Sequence, residues 1–359
     1  MINPYVDLPP RAFWKPAVAS RNLFDLDDVW RSKFDLRNTD RIVTFGSCFA
    51  QHIGRALAAR GFDWFNAEPG PRGLSPESLK RFNYNIFSAR TANIYTTSLL
   101  RQWVGWATGE VSQSNEEWEQ DGRFYDPFRP AIEPGGFASK EEMRASRDRT
   151  LSAFKTCISE ANYFVFTLGL TESWVNAKTG DEYPMCPGTT AGVFDRKRHR
   201  FINHDFLGAL QNLEQTMEAM RIINPGIRFI LTVSPVPLTA TQSGNHIMTA
   251  TMESKSILRA VAGQLARTRT DTDYFPSYEL ISSPVTKAIF FQPNQRDVNP
   301  HGVDFVMDKF FKGLGQSAKN KERAKSLKTI SSSPTKPLVA IHDDVVCEEE
   351  LLEAFGEKA

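Results

Sequence analysis

The sequence predicts an α/β protein with three layers: a doubly wound, mostly parallel sheet carrying helices on both faces. Two observations carry that prediction. Three short runs, Arg41-Ile-Val-Thr-Phe45, Tyr163-Phe-Val-Phe-Thr-Leu168 and Arg228-Phe-Ile-Leu-Thr-Val233, are apolar or β-branched almost throughout. Runs of that kind belong to strands buried on both faces, as parallel strands are. Between the runs lie segments with helical spacing, and strands alternating with amphipathic helices imply helical crossovers.

The elements follow in order. Residues 1–40 are rich in Pro and aromatics without periodicity and read as a wrapping arm. After strand 41–45 the chain turns at Gly46, and Phe49, Ile53, Ala56 and Leu57 space a helix to Arg60. A second helix is expected over Ile94–Ala107, then a polar surface insertion over 110–135, then a charged helix from Ser139 to Ala161. Strand 163–168 ends at Gly169. Residues 176–204 read as turns with a basic cluster at 196–200, which as a charge run is a solvated loop. Leu207, Leu210, Leu213, Met217 and Met220 mark an amphipathic helix that stops before Asn224-Pro-Gly226. Helices over 254–267 and 305–314 complete a domain spanning 41–315. From 316 to 359 the chain turns Lys- and Ser-rich, then acidic, and reads as a disordered charged tail with a short helix near 347–356.

Composition narrows the function. The 43 Lys and Arg balance 42 Asp and Glu, so no concentrated basic charge marks a nucleic-acid binder. No apolar segment is long enough to span a bilayer, and residues 1–7 lack the pattern of a secretory leader, so a cytoplasmic protein is expected. Cys48, Cys157, Cys186 and Cys347 form neither a CxxC pair nor a cluster with His, so neither a disulfide framework nor a metal site is expected. No GxGxxG or Walker loop follows a strand, and no cofactor is expected. Oligomeric state is not legible.

Functional groups in such sheets gather at the carboxyl ends of the strands. There stand Gly46-Ser47, Gly169-Leu-Thr-Glu172 and Ser234-Pro-Val-Pro237, with Asp297-Val-Asn-Pro-His301 before the last helix. A serine at a strand-to-helix turn faces unpaired N–H groups suited to a developing oxyanion. The same serine is also a favoured helix cap. Cys48 is a rival nucleophile, although a small Cys there more often packs into the helix.

The run Gly46-Ser-Cys-Phe-Ala50 resembles the signature of the GSCFA family, a branch of the SGNH/GDSL hydrolase superfamily. Thr167-Leu-Gly-Leu-Thr-Glu-Ser-Trp174, Thr232-Val-Ser-Pro-Val-Pro237 and Ser254-Lys255 resemble the same family, over roughly residues 40–312. The resemblance implies an SGNH-hydrolase-like, flavodoxin-like fold and a nucleophile at Ser47. It implies oxyanion and substrate contacts from the turn at Cys48, from Asn93 and from Gly169 and Thr171. Ala92 stands where the superfamily has Gly, and Thr171 where it has Asn, though a hydroxyl still donates one hydrogen bond. Glu172 follows as a partner-orienting or simply structural carboxylate. The superfamily's Asp and His stand three residues apart; the natural register here puts Arg296 and Asn299 in those places. Asp297 and His301, four apart, are the remaining pair. Either His301 is the base, or Asn299 caps a helix at Pro300 and leaves His301 exposed.

Two functions follow. One is a serine esterase or O-acyltransferase acting on a small acyl ester, with acetyl on a carbohydrate or polysaccharide as the substrate the resemblance suggests. The other is a degenerate, non-catalytic domain that binds a glycan or protein partner.

Overall fold

The computed structural model describes residues 3–315 and 347–356. Contacts divide the chain into two compact units, one from Arg37–Tyr274 with the C-terminal residues, the other from the N-terminal residues with those from Phe275 onward.

The larger unit runs β1 (Ile42–Gly46), α1 (Ala50–Ala59), α2 (Pro76–Arg81), α3 (Thr97–Thr108), β2 (Trp118–Gln120), β3 (Arg123–Tyr125) and α4 (Lys140–Glu160). It continues through β4 (Tyr163–Leu168), β5 (Glu172–Asn176), β6 (Glu182–Tyr183), β7 (His199–Asn203), α5 (Phe206–Ile223), β8 (Arg228–Val233), α6 (Ile247–Thr268) and β9 (Thr272–Phe275). The central sheet has the order β1-β4-β8-β9. Its β1–β4 and β4–β8 pairs are parallel, with Gly46 beside Thr167 and Leu168 beside Val233. Every residue of β1 and β4 is buried, as continuous apolar strands require. Helices cover both faces of the sheet, with α1 on β1 and β4 and α6 on β8.

The winding reverses at β1. After α1 the chain returns to lie parallel beside Ile42 at Trp64, through Ile42 N–H to Asp63 O and Phe65 N–H to Ile42 O, both 2.9 Å. It then crosses to β4 on the opposite side of β1. Such a reversal is the topological switch of a doubly wound sheet, and it opens a crevice at the carboxyl ends of the two diverging strands.

Two segments expected to be loops are built structure. In the 110–135 insertion, β2 and β3 form an antiparallel hairpin, and Phe128, Ile132, Asp126 and Arg129 are buried beneath it. Arg129 Nε and Arg147 Nη2 donate to the Asp126 carboxylate at 2.8 and 2.7 Å, which holds that buried carboxyl below its ordinary range despite desolvation. The stretch over 176–204 contributes β6 and β7, which flank β5 in a three-stranded antiparallel sheet. Neither showed in the pattern, because strands of two to five residues lack a period to read.

The other unit holds α7 (Ser277–Ser282) and α8 (Pro300–Gly315) with the N-terminal residues. Trp30 stacks on Phe310 at 5.4 Å between ring centroids, and Lys309 Nζ donates to Phe24 O at 3.1 Å. A β-carbon on Gly313 would collide with the Trp30 ring. The charged tail expected over 316–346 lies outside the described residues. Beyond it, Glu348–Leu352 forms a 3-10 turn and Glu353–Gly356 one helical turn, in the larger unit. No helix among the described residues is long and apolar enough to cross a membrane.

Candidate active site

The chain turns at the end of β1 because Gly46 takes a φ of +128°, a conformation that L side chains rarely adopt. A β-carbon there would stand 2.7 Å from the Thr167 nitrogen and closer still to its carbonyl. Ser47 N–H donates to Thr167 O at 3.0 Å, Ser47 O accepts from Ala50 N–H at 2.9 Å, and α1 begins. The Ser47 hydroxyl does not cap that helix: no side-chain cap bond forms at its N-terminus. Its Oγ is buried and has no hydrogen-bond partner among the described residues. The residue is 3% exposed.

Three segments converge on this turn. Gly169, just past β4, lies so close that a β-carbon on it would be 3.0 Å from Ser47 Cβ and 3.2 Å from Tyr95 O. Tyr95 O in turn accepts from the N–H groups of Gly169 and Leu170, each at 3.0 Å. From α6, the buried Lys255 donates to Gly169 O at 2.7 Å, and Ser254 Oγ accepts from Thr171 N–H at 3.0 Å. The Ser254-Lys255 pair is therefore the clamp that shapes the loop facing Ser47. Around the turn, the hydroxyls of Ser47, Thr167, Thr171 and Tyr95 are all buried without partners among the described residues. An unsatisfied buried polar group costs about 1–3 kcal/mol, so four in one place ask for a functional explanation.

The Ser47 N–H is committed to Thr167 O, whereas the N–H groups of Cys48 and Phe49 make no hydrogen bond among the described residues. Cys48 itself is buried. Ala92 adopts a φ of +59°, the left-handed conformation that the missing glycine would hold more easily. Asn93 follows, its neighbour Ile94 donating to Gly46 O at 2.9 Å. The Asn93 side chain donates to Glu348 Oε2 at 3.3 Å, and its backbone N–H bonds to the same carboxyl. Burial raises Glu348 to about 7, with the Asn93 bonds opposing the rise.

Glu172 accepts from Thr241 Oγ1 at 2.6 Å and is raised above its ordinary range by desolvation. It lines a cavity of about 200 Å³ with Leu170, Trp174, Met185, Leu238 and Thr241.

Asp297 and His301 lie in the other unit. Asp297 accepts from Asn294 Nδ2 at 2.6 Å and Arg296 Nη1 at 3.1 Å, and it makes no hydrogen bond to His301. Asn299 Oδ1 accepts from Gly302 N–H at 2.9 Å and so caps α8 at Pro300. His301 is exposed on the first turn, without a hydrogen bond among the described residues. The expected Asp–His pair does not form because the carboxylate is held by Arg296 and Asn294. Sequence reasoning passed over His204 as part of a basic loop. Its N–H donates to Thr171 O at 2.9 Å, and its Nε2 lies 2.7 Å from Ser98 Oγ and 3.9 Å from Glu182 Oε2. Only the short β5–β7 sheet brings it there, and no local signal announced that sheet.

No curated protein and no solved structure matches the chain. The GSCFA family model matches residues 41–310, from the first residue before β1 into α8 and across the Ser47 turn. The chain belongs to the GSCFA family.

Proposed function

We propose that the protein is a serine esterase or O-acyltransferase of the SGNH type, with Ser47 as nucleophile. The observation that carries the reading is the Ser47 hydroxyl: buried at the switch point of the sheet, excluded from capping, and unpaired among the described residues. In the reaction, Oγ attacks the ester carbonyl carbon while an imidazole takes its proton, and the carbonyl electron pair moves onto oxygen. The N–H of Cys48, the Asn93 amide and the Thr171 hydroxyl are the donors suited to that oxyanion. Collapse expels the alcohol, which regains the proton, and leaves an acyl-serine. Water or a sugar hydroxyl then attacks the acyl carbon and restores Ser47. The proposed donor is a small acyl group, acetyl on a carbohydrate, and the cavity of about 200 Å³ that Leu170 and Glu172 line beyond the Thr171 loop has aromatic and carboxylate walls suited to a sugar. His301, exposed and unengaged, is the proposed base, and Glu172 and Gly169 shape the substrate side.

Labelling by a fluorescent phosphonate tests the nucleophile. The wild-type chain is expected to label, and Ser47→Ala not to; equal labelling of the two proteins overturns the reading. A panel of acetylated sugars then assigns the acyl donor.

The second reading, a non-catalytic glycan-binding domain, draws on the commitment of Asp297 to Arg296. It predicts that Ser47→Ala binds the same sugars as the wild-type chain, with no turnover by either.

A further inference from the structure

The residues facing the Ser47 turn include a segment far away in sequence. Cys347, Glu348 and Glu349 are all buried in the larger unit, although thirty-one residues separate Gly315 from Cys347. Glu348 places its carboxyl on Asn93, taking both the side-chain amide and the backbone N–H. Cys347, Glu349, Glu348 and Cys48, the residue after Ser47, all act electrostatically on the buried Tyr95 hydroxyl, whose pKa burial raises well above its ordinary value. Glu349 and Leu352 go on to form one wall of the cavity that Glu172 lines.

Two features set this apart from ordinary packing. Adjacent carboxyls are seldom buried, because desolvation and mutual repulsion both oppose it. Here one of them, Glu348, is buried on Asn93, one of the donors suited to an oxyanion, and a carboxyl group has the planar, two-oxygen shape of an ester or of the acid product. The segment therefore resembles a ligand of the site more than a part of its scaffold.

We infer that residues 347–352 are an autoinhibitory strap, with Glu348 occupying the Asn93 subsite as an internal carboxyl ligand and the segment closing the approach to Ser47. This rests on the reading of Ser47 as the nucleophile. An acyl donor must displace it, and the ligand class that the subsite accepts is a carboxylic acid or its ester.

The test uses the full-length chain with Glu348→Lys and, separately, Leu352→Asp, which alters the strap without touching Asn93. Phosphonate labelling of Ser47 is expected to accelerate at least tenfold in both, and a synthetic peptide of residues 347–356 is expected to slow it again. Amide hydrogen exchange at residues 93–95 gives a readout independent of chemistry, with protection expected to fall in both variants. Labelling within twofold of wild type together with unchanged protection overturns the strap while leaving the nucleophile standing. Lost protection with no labelling of any protein supports the docked strap and overturns the nucleophile instead.

Discussion

Gly169 and Ser47 approach each other so closely that a methyl group on the glycine would stand 3.0 Å from the serine β-carbon. That contact is tighter than side chains normally make, and the Tyr95 carbonyl closes the other side at 3.2 Å. The two strands meeting there, β1 and β4, are the pair between which the winding reverses. The absence of a side chain at 169 therefore gives Ser47 its rotamer freedom.

Gly169→Ala is accordingly expected to cost about 1–3 kcal/mol through overpacking and to turn the hydroxyl away from its donors. Phosphonate labelling should fall at least tenfold while far-UV circular dichroism keeps the wild-type shape. Labelling at the wild-type rate would show that the close approach has no bearing on the nucleophile.

Ala92 sits at a φ of +59° beside the subsite residue Asn93. A left-handed alanine is strained by about 1–2 kcal/mol relative to its ordinary conformation, whereas glycine is at home there. Ala92→Gly should raise unfolding stability by about 1 kcal/mol despite the greater chain entropy of glycine when unfolded. Urea denaturation reads it directly; a lower midpoint would mean that the methyl group packs more than it strains.

The sequence disclosed the central strands and the Ser47 turn because each is a local property. A buried parallel strand is a continuous apolar run, and Gly46 before Ser47 is a turn that Thr167 leaves no room to fill. The partners of Ser47 were only partly legible. Asn93 and Thr171 came from resemblance, and the loss of the Ser47 N–H to Thr167 O is a matter of pairing that no residue type reveals. Glu348 on Asn93 was beyond reading, since it joins positions 255 residues apart through an acidic stretch that looks like solvated tail. The insertion at 110–135 looked polar because residues such as Asp126 and Arg129 are charged, yet they pair with each other and with Arg147 of α4 in the interior.

That buried trio makes a prediction of its own. Asp126 receives Arg147 at 2.7 Å and Arg129 at 2.8 Å, and all three side chains are at most 1% exposed. Removing the carboxylate leaves two guanidinium groups buried without their charge partner, and breaking a buried pair costs about 3–5 kcal/mol. Asp126→Asn should therefore unfold at far lower urea, although it lies in a segment that reads as surface. A change below about 0.5 kcal/mol, the usual size for a surface site, would return the segment to the surface.

The docking of the C-terminal strap should depend on pH. Glu348 is raised from its ordinary 4.5 to about 7 by desolvation, with the Asn93 hydrogen bonds opposing the rise and Glu349 adding to it, and Cys347, Glu349 and Cys48 also act with it on the Tyr95 hydroxyl. A carboxyl whose docked pKa is raised favours the docked state when protonated. Its contribution is full below about 4.5 and is lost as pH climbs through about 7, by up to tenfold per pH unit in between. Exchange protection at residues 93–95 should therefore be greater at pH 5 than at pH 8. In Glu348→Gln that difference should vanish; its persistence would assign the titration to another group.

The identity of the base separates two histidines of opposite character. His301 is exposed and carries no hydrogen bond among the described residues, so its imidazole is available but held by nothing. His204 is fixed through Ser98 and reaches Thr171 through its backbone, so it is positioned but already engaged. General-base catalysis contributes about 100- to 10,000-fold. If His301 takes the serine proton, His301→Gln should lower kcat by that factor and flatten the acid limb of the pH profile, with KM little changed. His204→Gln should then act only through the Thr171 loop, changing stability and KM but leaving the shape of the pH profile intact. The opposite pattern would move the base to His204 and leave His301 as no more than the exposed first turn of a capped helix.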